Sequence, residues 1–152
     1  MGYIAFTDRQ PGGWSLNDEL LKVQDTIPIC PPVISQQVAL GALSAGKPWV
    51  KGNLASVERN REAVEGALVA TLGAENVYGG AGAIYLFARL PVADDEAIVR
   101  QLAADHGVVV IPGSACGMPG HIRVAYANLE TADCVRAAQR LAAGLEAILA
   151  AE

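Results

Sequence analysis

The sequence predicts an α/β fold: a small mixed β-sheet covered by helices, with a shorter front segment that does not close a core of its own. Three observations carry this expectation. A helical period runs without interruption from about residue 48 to 72. Strand-like and helix-like segments then alternate from Ala83 to the last residues, the pattern of a two-layer domain. The first 47 residues hold only one strand pattern and two helical ones. The expected division is therefore 1–47 and 48–152.

Gly2 to Phe6 is a short apolar run that stops at Thr7-Asp8, ahead of the turn-forming Pro11-Gly12-Gly13, and it predicts a strand. Ser15-Leu16-Asn17-Asp18 has the form of a capping box, in which a serine oxygen accepts a backbone N–H, so a helix is expected over 16–25. Ile27-Pro28-Ile29-Cys30-Pro31-Pro32 excludes a helix, because proline lacks an N–H and restricts the residue before it; a stiff, extended connection is expected. A second helix spans about Val33 to Ala45 and stops at Gly46, suited to a left-handed cap. The third begins at Pro48, a good first-turn residue. It aligns Val50, Leu54, Val57, Val64 and Leu68 near one face as far as Leu72-Gly73.

Beyond that point Ala83 to Arg89 reads as a strand, and Asp94 to His106 as an amphipathic helix with Ile98, Val99 and Leu102 inward. Val108 to Ile111 reads as a buried strand and Ile122 to Ala127 as another. Thr131 to Ala150 predicts a helix with Val135, Leu141, Leu145 and Ile148 on its apolar side.

Composition narrows the function classes. The chain has 152 residues, half of them apolar, and a net charge of −5, which is ordinary for a globular domain. Its eleven basic residues are scattered, so nucleic acid is not an expected partner. No stretch approaches the roughly 20 apolar residues that cross a bilayer, so no membrane partner is expected. The three cysteines, Cys30, Cys116 and Cys134, form no Cys-x-x-Cys pair and no disulfide framework, which points to a reducing compartment and the cytoplasm.

The residues with chemical content cluster late in the chain. Gly113-Ser114-Ala115-Cys116-Gly117 is followed by His121-Ile122-Arg123-Val124-Ala125-Tyr126-Ala127, which sets one arginine between apolar strand residues. A planar guanidinium holds a carboxylate by two parallel hydrogen bonds, fixing orientation as well as charge. The alternative is a strand-edge arginine paired with a nearby Asp or Glu. The loop Pro112 to Gly120 is built of small residues that let backbone approach a ligand, or else form a plain strand connection. Gly79-Gly80-Ala81-Gly82 precedes a strand and does not open a helix, so it is not a nucleotide loop. His106 and His121 belong to no metal-spaced cluster, and Cys116 with His121 lacks the third group a thiol nucleophile needs. No catalytic, cofactor-binding or metal-binding residue is expected on this chain.

With Gly2-Tyr3-Ile4-Ala5 and Gly82-Ala83-Ile84-Tyr85-Leu86-Phe87, these motifs occur in the order found in the C-terminal portion of class I/II aminotransferases, which the chain resembles. Those enzymes use pyridoxal phosphate on a fold type I transferase scaffold. Lys22 to Cys30, Gly82 to Leu86 and His106 to Gly113 are most similar to the plant and algal aromatic and methionine aminotransferase group. The resemblance implies that Arg123 binds the substrate α-carboxylate and that the Gly113 loop borders the pocket, with Ser114 and Cys116 lining it. Cys116 stands where many relatives carry a bulky aromatic. It further implies amino acid and 2-oxo acid substrates and a homodimer, with Ile27 to Pro32 near the partner's site. Residues 1–47 become a remnant of the large cofactor-binding domain. The family's Schiff-base lysine lies just upstream of the glycine-tyrosine strand, and none of Lys22, Lys47 and Lys51 occupies that motif position. The chain alone is then expected to be inactive and not to hold the cofactor covalently. The rival expectation is a non-catalytic module that binds carboxylates or another protein.

Overall fold

The computed structural model describes residues 2–7 and 13–151. The chain forms two compact units, Met1–Val50 and Lys51–Glu152.

In the first unit the strand expected at Gly2 to Phe6 is absent: residues 2–7 carry no regular structure, and Tyr3 and Ile4 are exposed. A strand needs partners for its backbone N–H and C=O groups, and none is paired with this segment among the described residues. Pro11 and Gly12 of the expected turn lie outside the described residues. Helix α1 (Leu16–Thr26) is capped as its sequence requires, with the Asp18 N–H donating to Ser15 Oγ at 3.1 Å. The connection after it is not extended from its start. The Ile27 N–H donates to the Val23 carbonyl at 2.9 Å and the Ile29 N–H to the Gln24 carbonyl at 2.7 Å, so the chain first coils back over the helix end. Ile29 takes a positive φ of 51°, an unfavourable conformation for a β-branched residue. Helix α2 (Val33–Leu72) is broken at Gly46, where φ is 67° and ψ is −171°. Only glycine enters that region readily, and the ψ value distinguishes it from the left-handed cap expected there. The two expected helices are thus the two arms of α2. No described residue before Lys51 is buried.

The second unit has a core of its own. Its share of α2 contributes Val64 and Leu68, with Val57 partly buried, whereas Val50 and Leu54 are about half exposed; the inward stripe begins two turns later than expected. Then follow β1 (Val77–Tyr78), β2 (Tyr85–Arg89), α3 (Asp95–His106), β3 (Ile111–Pro112), β4 (His121–Ala125) and α4 (Thr131–Leu149). The sheet order is β1-β2-β4-β3, and all three pairings are antiparallel, where a mixed sheet was expected. Two-residue β1 gives no sequence signal. The buried strand expected over Val108 to Ile111 is instead a short edge strand. Val108 and Val110 pack into the core while Val109 is 82% exposed, and ladder pairing begins only at Ile111.

Leu86 and Ala88 of β2 and Ile122 and Val124 of β4 form the covered face of the sheet. They join a core with Ile98 and Leu102 of α3 and Leu141, Leu145 and Ile148 of α4. Val135, expected inward, is partly exposed; Cys134 and Ala138 take that side, since 134, 138, 141, 145 and 148 share one helical face.

One buried polar side chain links α2 to the end of the sheet. Asn60 Nδ2 donates to the carbonyls of Tyr126 at 3.0 Å and Leu129 at 2.8 Å, although its own Oδ1 is buried without a partner. Substituting Asn60→Ala leaves both carbonyls unpaired. Urea unfolding of that variant is expected to show a loss of about 2–3 kcal/mol; a change below half a kcal/mol would deny the bond a stabilising role.

Candidate functional site

Side chains alternate along a strand, so the sheet that buries Leu86, Ala88, Ile122 and Val124 must turn their neighbours to the opposite face. That face carries Tyr85, Phe87 and Arg89 from β2 and His121 and Arg123 from β4. The register sets Phe87 opposite Arg123 and Arg89 opposite His121, with Ile111 of β3 on the other side of Arg123. The Phe87 and His121 rings stack at 5.0 Å and 13°, and the Tyr78 ring lies 6.3 Å from His121. The result is an aromatic platform with a cation beside it.

That cation is Arg123. Its guanidinium carbon lies 4.6 Å from the centre of the Tyr85 ring. Among the described residues it makes no ion pair, and its Nε is buried without a hydrogen-bond partner. An arginine paired with an acidic neighbour is therefore not what the fold presents. His121 Nδ1 lies 2.9 Å from the Pro119 carbonyl, which can only accept, so the bond assigns the proton to Nδ1.

The loop before β4 is fixed by a residue the sequence did not single out. Asp94 caps α3, its side chain accepting from the Ala97 N–H at 3.0 Å. Its neighbour Asp95 is buried, and Asp95 Oδ2 accepts from the N–H of Ser114 at 2.8 Å and of His121 at 3.4 Å. Burial pushes the Asp95 carboxyl up. The Ser114 N–H outweighs it together with the N–H groups of His121 and Gly120, so the group lies below its ordinary value. The Ser114 side chain acts in the same direction, although its Oγ makes no bond of good geometry. The available signal was the Asp94-Asp95 doublet, since a helix start needs only one cap.

Residues Gly113–Cys116 form a single 3₁₀ turn directly after β3, with Ser114 half-buried and Cys116 exposed. The small residue at 113 serves internal packing: a Cβ there would lie 2.3 Å from the Met118 carbonyl and 2.6 Å from His121 Cβ. Asp95 thus ties Ser114 to the start of β4, two residues before Arg123. Neither the Ser114 hydroxyl nor the Cys116 thiol is bonded to Arg123. A separate cavity of about 560 Å³, lined in part by Val64, Val108, Val110, Arg136, Arg140 and Leu141, includes none of Arg123, Ser114 and Cys116.

The lysines of the chain do not fit a Schiff-base site. All three are exposed, and Lys22 Nζ pairs with Glu19 at 2.6 Å, an interaction that raises its basicity and disfavours the free amine. No group of three or more potential metal ligands occurs among the described residues, and no helix there is long and apolar enough to cross a membrane.

An antiparallel sheet with one helix-covered face and one arginine-bearing face, preceded by a broken helix, is the architecture of part of a fold type I transferase. The aspartate aminotransferase structure from Rhizobium meliloti matches 85% of this chain at a TM-score of 0.70 and 28% identity, over 35% of its own length. The family model for aminotransferase class I and II matches residues 1–141, and the chain belongs to that family. Aromatic aminotransferase ISS1 of Arabidopsis thaliana is 48% identical over 151 residues, 98% of this chain, in agreement with the plant group that the motifs resemble. An aspartate aminotransferase of Rhizobium meliloti (strain 1021) is 30% identical over 84% of this chain. The chain spans 37% and 35% of the length of these two relatives. The fold is shared with α-aminoadipate aminotransferase LysN of Thermus thermophilus, solved with N-(5'-phosphopyridoxyl)-L-leucine, at a TM-score of 0.69 and 20% identity over 91% of this chain and 38% of that one.

The Asp95 bonds make a pH-dependent prediction. A carboxyl held low in the folded chain contributes its full stability above the unfolded value of about 3.9 and loses it as pH falls through the lower folded value. Asp95→Ala is expected to cost about 2–3 kcal/mol at pH 7 by urea unfolding. The gap from the parent chain should close as pH drops below about 4; a gap that stays constant to pH 2 would contradict the assigned charge.

Proposed function

We propose that this chain is the C-terminal portion of an aminotransferase that moves an amino group from an aromatic or methionine-like amino acid to a 2-oxo acid, and that Arg123 binds the carboxylate common to both substrates. The observation that carries the reading is the Arg123 guanidinium, held on the open sheet face with no acidic partner among the described residues. A guanidinium placed so has its donors free for an incoming carboxylate. The aromatic preference draws on the similarity to the Arabidopsis aromatic aminotransferase and on the platform of Tyr78, Phe87 and His121 near the cation. Ser114 and Cys116, on the turn tied to β4, are read as pocket-lining.

Residues 1–47 are read as part of the large cofactor-binding domain and 48–152 as the small domain. Pyridoxal phosphate is the proposed cofactor of the complete enzyme, a homodimer, and this chain supplies the orienting half of the site. The free thiols Cys30, Cys116 and Cys134 fit a reducing compartment such as the cytoplasm.

Two measurements test the reading. Purified chain supplied with pyridoxal phosphate, an amino acid and a 2-oxo acid is expected to show no turnover; turnover lost on substituting one of Lys22, Lys47 and Lys51 would refute the reading that none of them is the Schiff-base lysine. Phenylpyruvate binding, followed by NMR, is expected to weaken about 10- to 100-fold in Arg123→Gln, as for loss of a hydrogen-bonded charge pair. Equal binding by parent and variant would remove Arg123 from the site.

A further inference from the structure

Resting on the reading of Arg123 as the carboxylate-binding group, we propose that Tyr85 is its positioning residue, the ring orienting the guanidinium in place of an acidic side chain. A long, flexible arginine needs a partner to hold one orientation, and the common partner is a carboxylate. An acidic partner here would neutralise the cation and occupy the donors a substrate carboxylate requires. An aromatic face attracts the cation through its ring charge distribution and takes up none of the five N–H donors. The 4.6 Å separation of the Arg123 guanidinium carbon from the Tyr85 ring centre lies within the roughly 6 Å range of that attraction.

The sheet register makes the contact available. Tyr85 pairs with Ala125, two residues along β4 from Arg123, so the two side chains are diagonal neighbours on one face. Phe87, directly opposite Arg123, already stacks on His121. The approach to Tyr85 is anchored as well. The buried Tyr126 donates through its hydroxyl to the Ala83 carbonyl at 2.9 Å and through its N–H to the Ile84 carbonyl at 3.2 Å. The backbone that carries the ring is thereby held beside the backbone that carries the arginine. The tyrosine hydroxyl plays no part, so phenylalanine should serve equally.

The test uses the whole ¹⁵N-labelled chain, with the Arg123 Nε–Hε resonance identified by its loss in Arg123→Gln. In the parent and in Tyr85→Phe the resonance is expected to sit upfield through the ring current, with the same phenylpyruvate affinity. In Tyr85→Leu the resonance is expected to return to the position of a solvated arginine, and phenylpyruvate to bind about 2- to 5-fold more weakly, while the backbone amide spectrum elsewhere is unchanged. Tyr85→Thr, which preserves strand preference, repeats the comparison should leucine disturb the sheet. A resonance unmoved in Tyr85→Leu overturns the proposal, and so does a moved resonance with unaltered affinity. Failure of the carboxylate reading itself appears separately, as binding that Arg123→Gln leaves intact.

Discussion

The five-pair ladder between β2 and β4 is the constraint on which both the core and the site depend. In its observed register Leu86, Ala88, Ile122 and Val124 are sealed against the helices while Phe87 and Arg123 face outward. A slip of β4 by one residue would turn Ile122 and Val124 out to solvent and drive a guanidinium into an apolar interior. Arg123 needs no partner to keep it outside, because its position follows from the burial of Ile122 and Val124 on either side. Tyr126 reinforces the same register, since its bonds to the Ala83 and Ile84 carbonyls form only when the end of β4 lies beside the start of β2.

Two charged groups near the start of β4 are treated in opposite ways. Asp95 is buried at the beginning of α3, where the helix dipole favours an anion, and it accepts backbone N–H groups from the turn and from His121. Arg123 is left with an unpartnered Nε and a ring for company. Had the two been paired, loop and strand would still be tied, but no free charge would remain on the open face. Satisfying the carboxylate with backbone donors alone fixes the loop and leaves the cation uncommitted.

What the sequence revealed tracks how local each cause is. The helices at Leu16–Thr26, Asp95–His106 and Thr131–Leu149 were legible because caps and a 3.6-residue period are local. Gly46 was legible as a break, since its conformation is local too. Gly2 to Phe6 and Val108 to Val110 misled because apolar, β-prone residues record only a tendency to be extended; pairing requires a neighbour that the pattern does not reveal. Val135 was misplaced because one residue of phase separates it from the buried Cys134. Arg123 stood out as a lone cation in an apolar strand. The bond from Asp95 to Ser114, nineteen positions away, and the ring of Tyr85 over Arg123 depend on tertiary register and left no local trace.

The two units differ in how far each is self-sufficient. Met1–Val50 buries none of its described residues, and Val33, Ile34, Val38, Leu40 and Leu43 of α2 present a run of exposed apolar surface. Such a face calls for cover, and the reading of this unit as part of a larger cofactor-binding domain supplies it. Tyr85, Asp95, Ser114, Arg123 and Tyr126 all lie in Lys51–Glu152, which has a core of its own. The geometry that would orient a carboxylate is therefore built without the front unit. The three lysines of the chain are exposed, and the one at position 22 is engaged by Glu19, which raises its basicity. On the proposed reading, carboxylate recognition is the part of the reaction that falls to Lys51–Glu152.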